Sequence, residues 1–104
     1  MIRIVVISKP ECIACDIVKK VIKEAINKRD ESIDYHEISC NAIIDSRYNI
    51  KMYPTTLFFK DEVKKLENDF GTFESYTPKE IARLEGSFPI DYLNKVIDKL
   101  KLEQ

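Results

Sequence analysis

The chain has 104 residues, 44% of them hydrophobic, and its 17 basic and 18 acidic side chains leave a formal charge of −1. This is one domain's worth of chain with apolar material for a single modest core, which excludes a multi-domain machine. The balanced charge provides no bulk field to recruit nucleic acid or an anionic membrane.

In chain order, residues 2–8 are apolar and β-branched at nearly every position, as in a strand buried on both faces of a parallel or mixed sheet. The run Ile4–Ile7 is too short for a signal-peptide core or a membrane span, so a cytoplasmic domain covering 1–104 is expected. After Lys9-Pro10-Glu11 the period changes. Ile13, Ile17, Val18, Val21, Ile22, Ala25 and Ile26 fall at helical spacing, predicting a helix that ends near Arg29-Asp30 with a basic last turn. Residues 33–39 read as a second strand, set parallel to the first by the helical crossover.

Asn41 is suited to cap a short helix through Tyr48, and Thr55–Phe59 reads as a strand starting after Pro54. Asp61-Glu62 is the expected turn, with Val63–Leu66 returning as a polar edge strand. The stretch 67–76 gives no clear pattern. Thr77-Pro78-Lys79-Glu80 combines capping-box spacing with proline at the first helical position, predicting a helix to about Leu84 that Gly86 ends. Ile90, Leu93, Val96, Ile97 and Leu100 mark a final amphipathic helix after Pro89. The expected architecture is α/β, a mixed four-stranded sheet flanked by helices.

The chemistry concentrates in Cys12-Ile13-Ala14-Cys15, where the first strand hands over to the first helix. Positions i and i+3 on a helix can form a disulfide. Cys12 stands at the helix N-terminus, where unpaired N–H groups favour a thiolate and should take its pKa below the usual value of about 8.5. Lys9 adds positive charge nearby. Cys12 is therefore the candidate nucleophile and Cys15, one turn into the helix, the thiol that resolves a mixed disulfide.

The segment Val5-Val6-Ile7-Ser8-Lys9-Pro10-Glu11-Cys12-Ile13-Ala14-Cys15 resembles the opening of glutaredoxins, including the lysine three residues before the first cysteine. Tyr48-Asn49-Ile50-Lys51-Met52-Tyr53-Pro54-Thr55-Thr56-Leu57-Phe58-Phe59 is similar to the thioredoxin segment that holds the family's cis-proline. Together they resemble the thioredoxin superfamily over nearly the whole chain. The resemblance implies a thioredoxin-like fold and a cis Tyr53-Pro54 bond facing Cys12, where the Tyr53 backbone pairs with a bound substrate. It implies thiol-disulfide oxidoreductase activity on protein disulfides through the Cys12-Cys15 couple. Electrons would come from an upstream reductase or from glutathione as co-substrate, and no bound cofactor is expected.

The departures from the pattern are specific. Glu11 replaces the aromatic residue before the first cysteine, and Ile13-Ala14 replaces Gly-Pro. The buried aspartate of thioredoxins, six residues before the first cysteine, is Val6, so deprotonation of Cys15 needs another acceptor, such as Glu11 or water. Of the glutaredoxin element that holds glutathione, only Glu85-Gly86-Ser87 remains, so glutathione binding rests on Lys9, Pro54 and Gly86.

Cys40 reads as a small buried residue, and His36 as a surface residue that becomes a base only if it faces Cys15. A zinc site gathering Cys12, Cys15, His36 and Cys40 is disfavoured, because four strand residues separate His36 from Cys40 by about 13 Å. Phe58, Phe59, Phe70, Phe73 and Phe88 suit the core or the unpatterned stretch, and form no base-stacking platform. The expectation is a monomeric oxidoreductase. Its competitors are a glutaredoxin proper acting through Cys12 alone and a non-catalytic docking domain.

Overall fold

The computed structural model describes residues 2–102. Seven elements follow one another: β1 (Ile2–Ser8), α1 (Ile13–Asn27), β2 (Ile33–Ser39), α2 (Ala42–Tyr48), β3 (Thr55–Asn68), β4 (Gly71–Glu85) and α3 (Ile90–Leu102). The four strands form one sheet in the order β2-β1-β3-β4. β1 and β2 are parallel, while β1 with β3 and β3 with β4 are antiparallel.

The central position of β1 explains its composition. Ile2, Ile4 and Val6 point to one face, where they join Phe58, Val18, Ile22 and Ala25 of α1, and Leu93, Ile97 and Leu100 of α3. Val5 and Ile7 point to the other, with Leu57 and the partly buried Ile44, Tyr48 and Ile50. A strand with both faces covered has no use for polar alternation.

Helix α1 ends at Asn27, before the expected Arg29-Asp30, and its last turn carries no basic residue. Arg29 lies beyond the helix, where it donates to Glu31 at 2.7 Å, to Asn94 at 3.2 Å and to Asp98. It ties the end of α1 to α3 instead of neutralising a dipole. Asn41 caps α2 as expected, its Oδ1 accepting the Ile44 N–H at 2.8 Å.

The largest corrections fall between residues 60 and 85. β3 does not turn at Asp61-Glu62 but continues to Asn68, and Val63–Leu66 belong to the same strand. The turn lies at Asp69-Phe70, where Asn68 Oδ1 accepts the Phe70 N–H at 2.8 Å and Gly71 takes φ +124°. The expected helix from Thr77 to Leu84 is strand: Thr77 pairs with Glu62, Lys79 with Lys60 and Leu84 with Thr56. A register shift at Phe58/Phe59 leaves Ile81 as the extra residue of a bulge. The capping-box spacing lost to a ladder that satisfies the backbone across the strand pair and packs Ile81, Ala82 and Leu84 against the core. Pro78 is tolerated because β4 is an edge strand.

Beyond Lys60, β1 no longer pairs with β3. The hairpin projects as an arm, and every residue from Asp61 to Asn68 is exposed. A compact chain of this length has a radius of gyration of about 13 Å. Here it is 15.7 Å, with extents of 54 × 35 × 17 Å.

Candidate active site

The two central strands deliver two loops to the same end of the sheet. Ile7 of β1 pairs with Thr55 of β3, so the loop leaving β1 and the loop entering β3 are neighbours. Glu85 pairs with Thr55 as well, which brings the loop after β4 to the same place.

The first loop turns through Glu11, at φ 55°, and ends in Cys12, which adopts an extended conformation as the N-cap of α1. Its Sγ accepts the Cys15 N–H at 3.1 Å. A disulfide sulfur thus takes the capping role usually held by an oxygen, and one of the orphan N–H groups of the helix points at it. Cys12 and Cys15 form a disulfide with their Cα atoms 5.2 Å apart. The two sulfurs differ in access, since Cys15 is 1% exposed whereas Cys12 is partly open to solvent. Ile13, between them, is 79% exposed. Glu11, expected as an acceptor for Cys15, lies in the loop and is exposed.

The second loop carries the cis Tyr53-Pro54 bond, with Pro54 buried. Three contacts hold it. The Thr55 hydroxyl donates to the Met52 carbonyl at 2.7 Å, and the Gly86 N–H donates to the Pro54 carbonyl at 2.8 Å. Arg83, paired with Glu80, donates to the Tyr48 and Asn49 carbonyls at 2.8 and 3.2 Å, fixing the end of α2 from which the loop departs. Gly86 sits at φ +86°, and a Cβ there would meet the Met52 methyl at 3.4 Å.

Tyr53 gathers residues that the sequence leaves scattered. The Lys9 ammonium stands 6.0 Å from its ring centroid, bringing together two of the expected site residues. Its hydroxyl donates to Asp45 of α2. That hydrogen bond, then burial, pushes the phenol well above its usual range, and Cys40 adds to the effect. Cys40 is therefore not simply a buried apolar residue: it is half-buried beside Tyr53, with its N–H donated to the Ser8 carbonyl at 2.8 Å. Asp45, Arg83 and the Cys40-Tyr53 contact had no local sequence signal, because residues far apart in the chain make them.

His36 is paired in register with Val5, whose side chain lies on the face opposite α1. It contacts Asp34 at 3.0 Å, and this placement does not make it a base for Cys15. Among the described residues no group of three or more His, Cys, Asp or Glu side chains is placed to hold a metal ion. No described helix is long and apolar enough to cross a membrane.

No protein-family model and no curated protein matches the sequence. Solved structures do match it. A chloroplastic thioredoxin z is 13% identical with a TM-score of 0.72, over 98% of this chain and 80% of that one. A Plasmodium falciparum thioredoxin is 18% identical with a TM-score of 0.68, over 94% and 70% of the two chains. The reduced thioredoxin pre-protein of Schistosoma mansoni is 18% identical with a TM-score of 0.66, over 94% and 77%. This likeness establishes the fold: the chain has the thioredoxin fold, with a disulfide-forming Cys-x-x-Cys at the junction of β1 and α1.

Proposed function

We propose that the protein is a thiol-disulfide oxidoreductase that exchanges disulfides in protein partners. The observation that carries this reading is the unequal pair: a partly exposed sulfur capping a helix, bonded to a buried one a turn later. Once the pair is reduced, the Cys15 N–H and the helix N-terminus favour the Cys12 thiolate. That thiolate attacks a partner disulfide, forming a Cys12-partner bond and expelling one partner thiolate. Cys15 then loses its proton and attacks Cys12, the Cys12-partner bond breaks, and the second partner thiolate leaves to be protonated. Two chain thiols have become a disulfide, and one partner disulfide has become two thiols.

Tyr53 and Pro54 form the docking edge for the partner backbone, and Lys9, lying over the Tyr53 ring, keeps positive charge beside the thiolate. The chain works in this reading as one domain and a monomer, in a reducing compartment such as the cytoplasm. It is recharged by an upstream reductase or by glutathione. The fold resemblance and the bonded pair support the class of chemistry, and the partner is a protein because exposed Ile13 and Met52 favour apolar contact beside the cysteines.

Two variants test the reading against catalysed reduction of a protein disulfide. Cys12→Ser abolishes turnover, and an enzyme that still cycles does not use this chemistry. Cys15→Ser accumulates a covalent mixed disulfide visible by intact mass. If Cys15→Ser instead turns over with glutathione, the route is the monothiol one, and if neither variant differs from the parent, the pair is structural.

A further inference from the structure

A groove of about 600 Å³ lies outside the thiol site, between Ile81–Leu84 of β4 and the side of α3 that carries Tyr92, Lys95, Val96 and Lys99. β4 is the last strand of the sheet, so its outer edge has no strand beside it. The backbone N–H and C=O groups of such an edge form a template for another extended chain. The bulge at Ile81 interrupts the template, which leaves Ala82–Glu85 as the regular stretch.

Charge selects the occupant. No acidic side chain lines the groove. The carboxylates around it are engaged elsewhere: Asp98 by Arg29, Glu80 by Arg83, and Glu31 by Arg29 and Lys101. Lys95 and Lys99, one turn apart on α3, are exposed and have no ionic partner among the described residues. Lys79 joins them at the end of the groove away from the cysteines. It pairs with Lys60, which donates to the Leu100 carbonyl, so both lie on the α3 side of the sheet. In a chain of net charge −1 these lysines form a local positive strip. Between strand and helix the floor is apolar, made by partly buried Ile81, Ala82, Leu84 and Val96. A phosphate or a nucleic acid would use the lysines and leave both the strand edge and this floor idle.

We propose that the groove is a docking site for an extended acidic segment of a protein partner. The segment adds a short strand to Ala82–Glu85, and its carboxylates continue past Lys95, Lys99 and Lys79. Glu85 pairs with Thr55, at the level of the cis-proline loop. A partner anchored along the groove is therefore held at the end of the sheet that carries the cysteines, and its anchoring uses neither sulfur.

The test is fluorescence anisotropy at low salt with a short fluorescein-labelled peptide of alternating valine and glutamate. The parent should bind it, and replacing both lysines together (Lys95→Gln with Lys99→Gln) should weaken binding about tenfold. Both positions are exposed, so the urea transition of this variant should match the parent's. Of two peptides N-methylated at alternate residues, one should also lose about tenfold, because it cannot donate to the strand edge. Amide exchange at Ala82–Glu85 should slow when the unmodified peptide is bound. Cys12→Ser should bind like the parent, so a failure of the oxidoreductase reading leaves this result standing. Absence of saturable binding, parent-like binding by the lysine variant, or equal binding of all three peptides overturns the proposal. So does a single-stranded oligonucleotide that binds as tightly as the peptide, since the groove then reads negative charge alone. Self-association of the parent that the lysine variant abolishes assigns the groove to a second copy and overturns it as well.

Discussion

β3 and β4 are one ladder with two different lives. Over Thr55–Phe58, β3 is fully buried between two apolar layers, whereas from Asp61 to Asn68 it is exposed throughout. β4 pairs with β3 along both regions, but β1 pairs with it only from Thr55 to Lys60. What the body adds is a second strand partner and two faces to bury. On the arm, Val63 pairs with Tyr76 and Leu66 with Phe73. An odd separation puts those two pairs on opposite sides, so no single apolar face exists and all four side chains are about half exposed. Backbone pairing gives the arm its shape, while burial holds the body together.

This contrast is broken most directly by deleting a ring from each region. Phe58→Ala removes a fully buried side chain next to Ile4 and should cost about 3–5 kcal/mol in urea unfolding. Phe73→Ala on the arm should stay within about 0.5 kcal/mol. Equal costs would mean that the arm packs against a surface.

Gly86 gives an intermediate case, because it belongs to the body but sits at the functional end. Its φ of +86° is one that side chains resist, so Gly86→Ala should cost about 1–2 kcal/mol. The added methyl presses toward Met52, and the Gly86 N–H holds the Pro54 carbonyl, so turnover should fall as well. Unfolding curves and turnover, measured on the same protein, separate the two effects. Unchanged turnover would show that the tie to Pro54 is dispensable.

The body was legible in the sequence and the arm was not, for the same physical reason. α1 and α3 bury one face and repeat their apolar residues at the helix period, while β1, buried on both faces, announces itself as an unbroken apolar, β-branched run. The cysteine pair was legible because spacing, strand and helix all converge on it. The arm has no face, and so leaves no period to read. Its true turn was marked only by Asn68 and Gly71, while Thr77-Pro78-Lys79-Glu80 offered a helix start that the pairing with β3 overrode. Asp45 was invisible for another reason: it meets the Tyr53 hydroxyl only because α2 and the loop before β3 are brought together by the fold.

The smallest expected effect is also the sharpest test of the contrast. Replacing residues 61–78 by Asn-Gly joins Lys60 to Lys79, which already face each other across the ladder, through the dipeptide that best suits a two-residue hairpin. If the arm is held only by its own ladder, the shortened protein should unfold within about 1 kcal/mol of the parent, since exposed positions contribute little and closing a shorter loop costs less entropy. The slope of the urea transition should barely change, because it tracks the surface exposed on unfolding and the arm hides little. Amide exchange in the intact protein should agree, with the arm opening locally while β1 and the first residues of β3 exchange only on global unfolding. A loss of several kcal/mol on shortening would mean instead that the arm is buried against the body in solution, and that the difference between the two halves of the ladder lies in something other than burial.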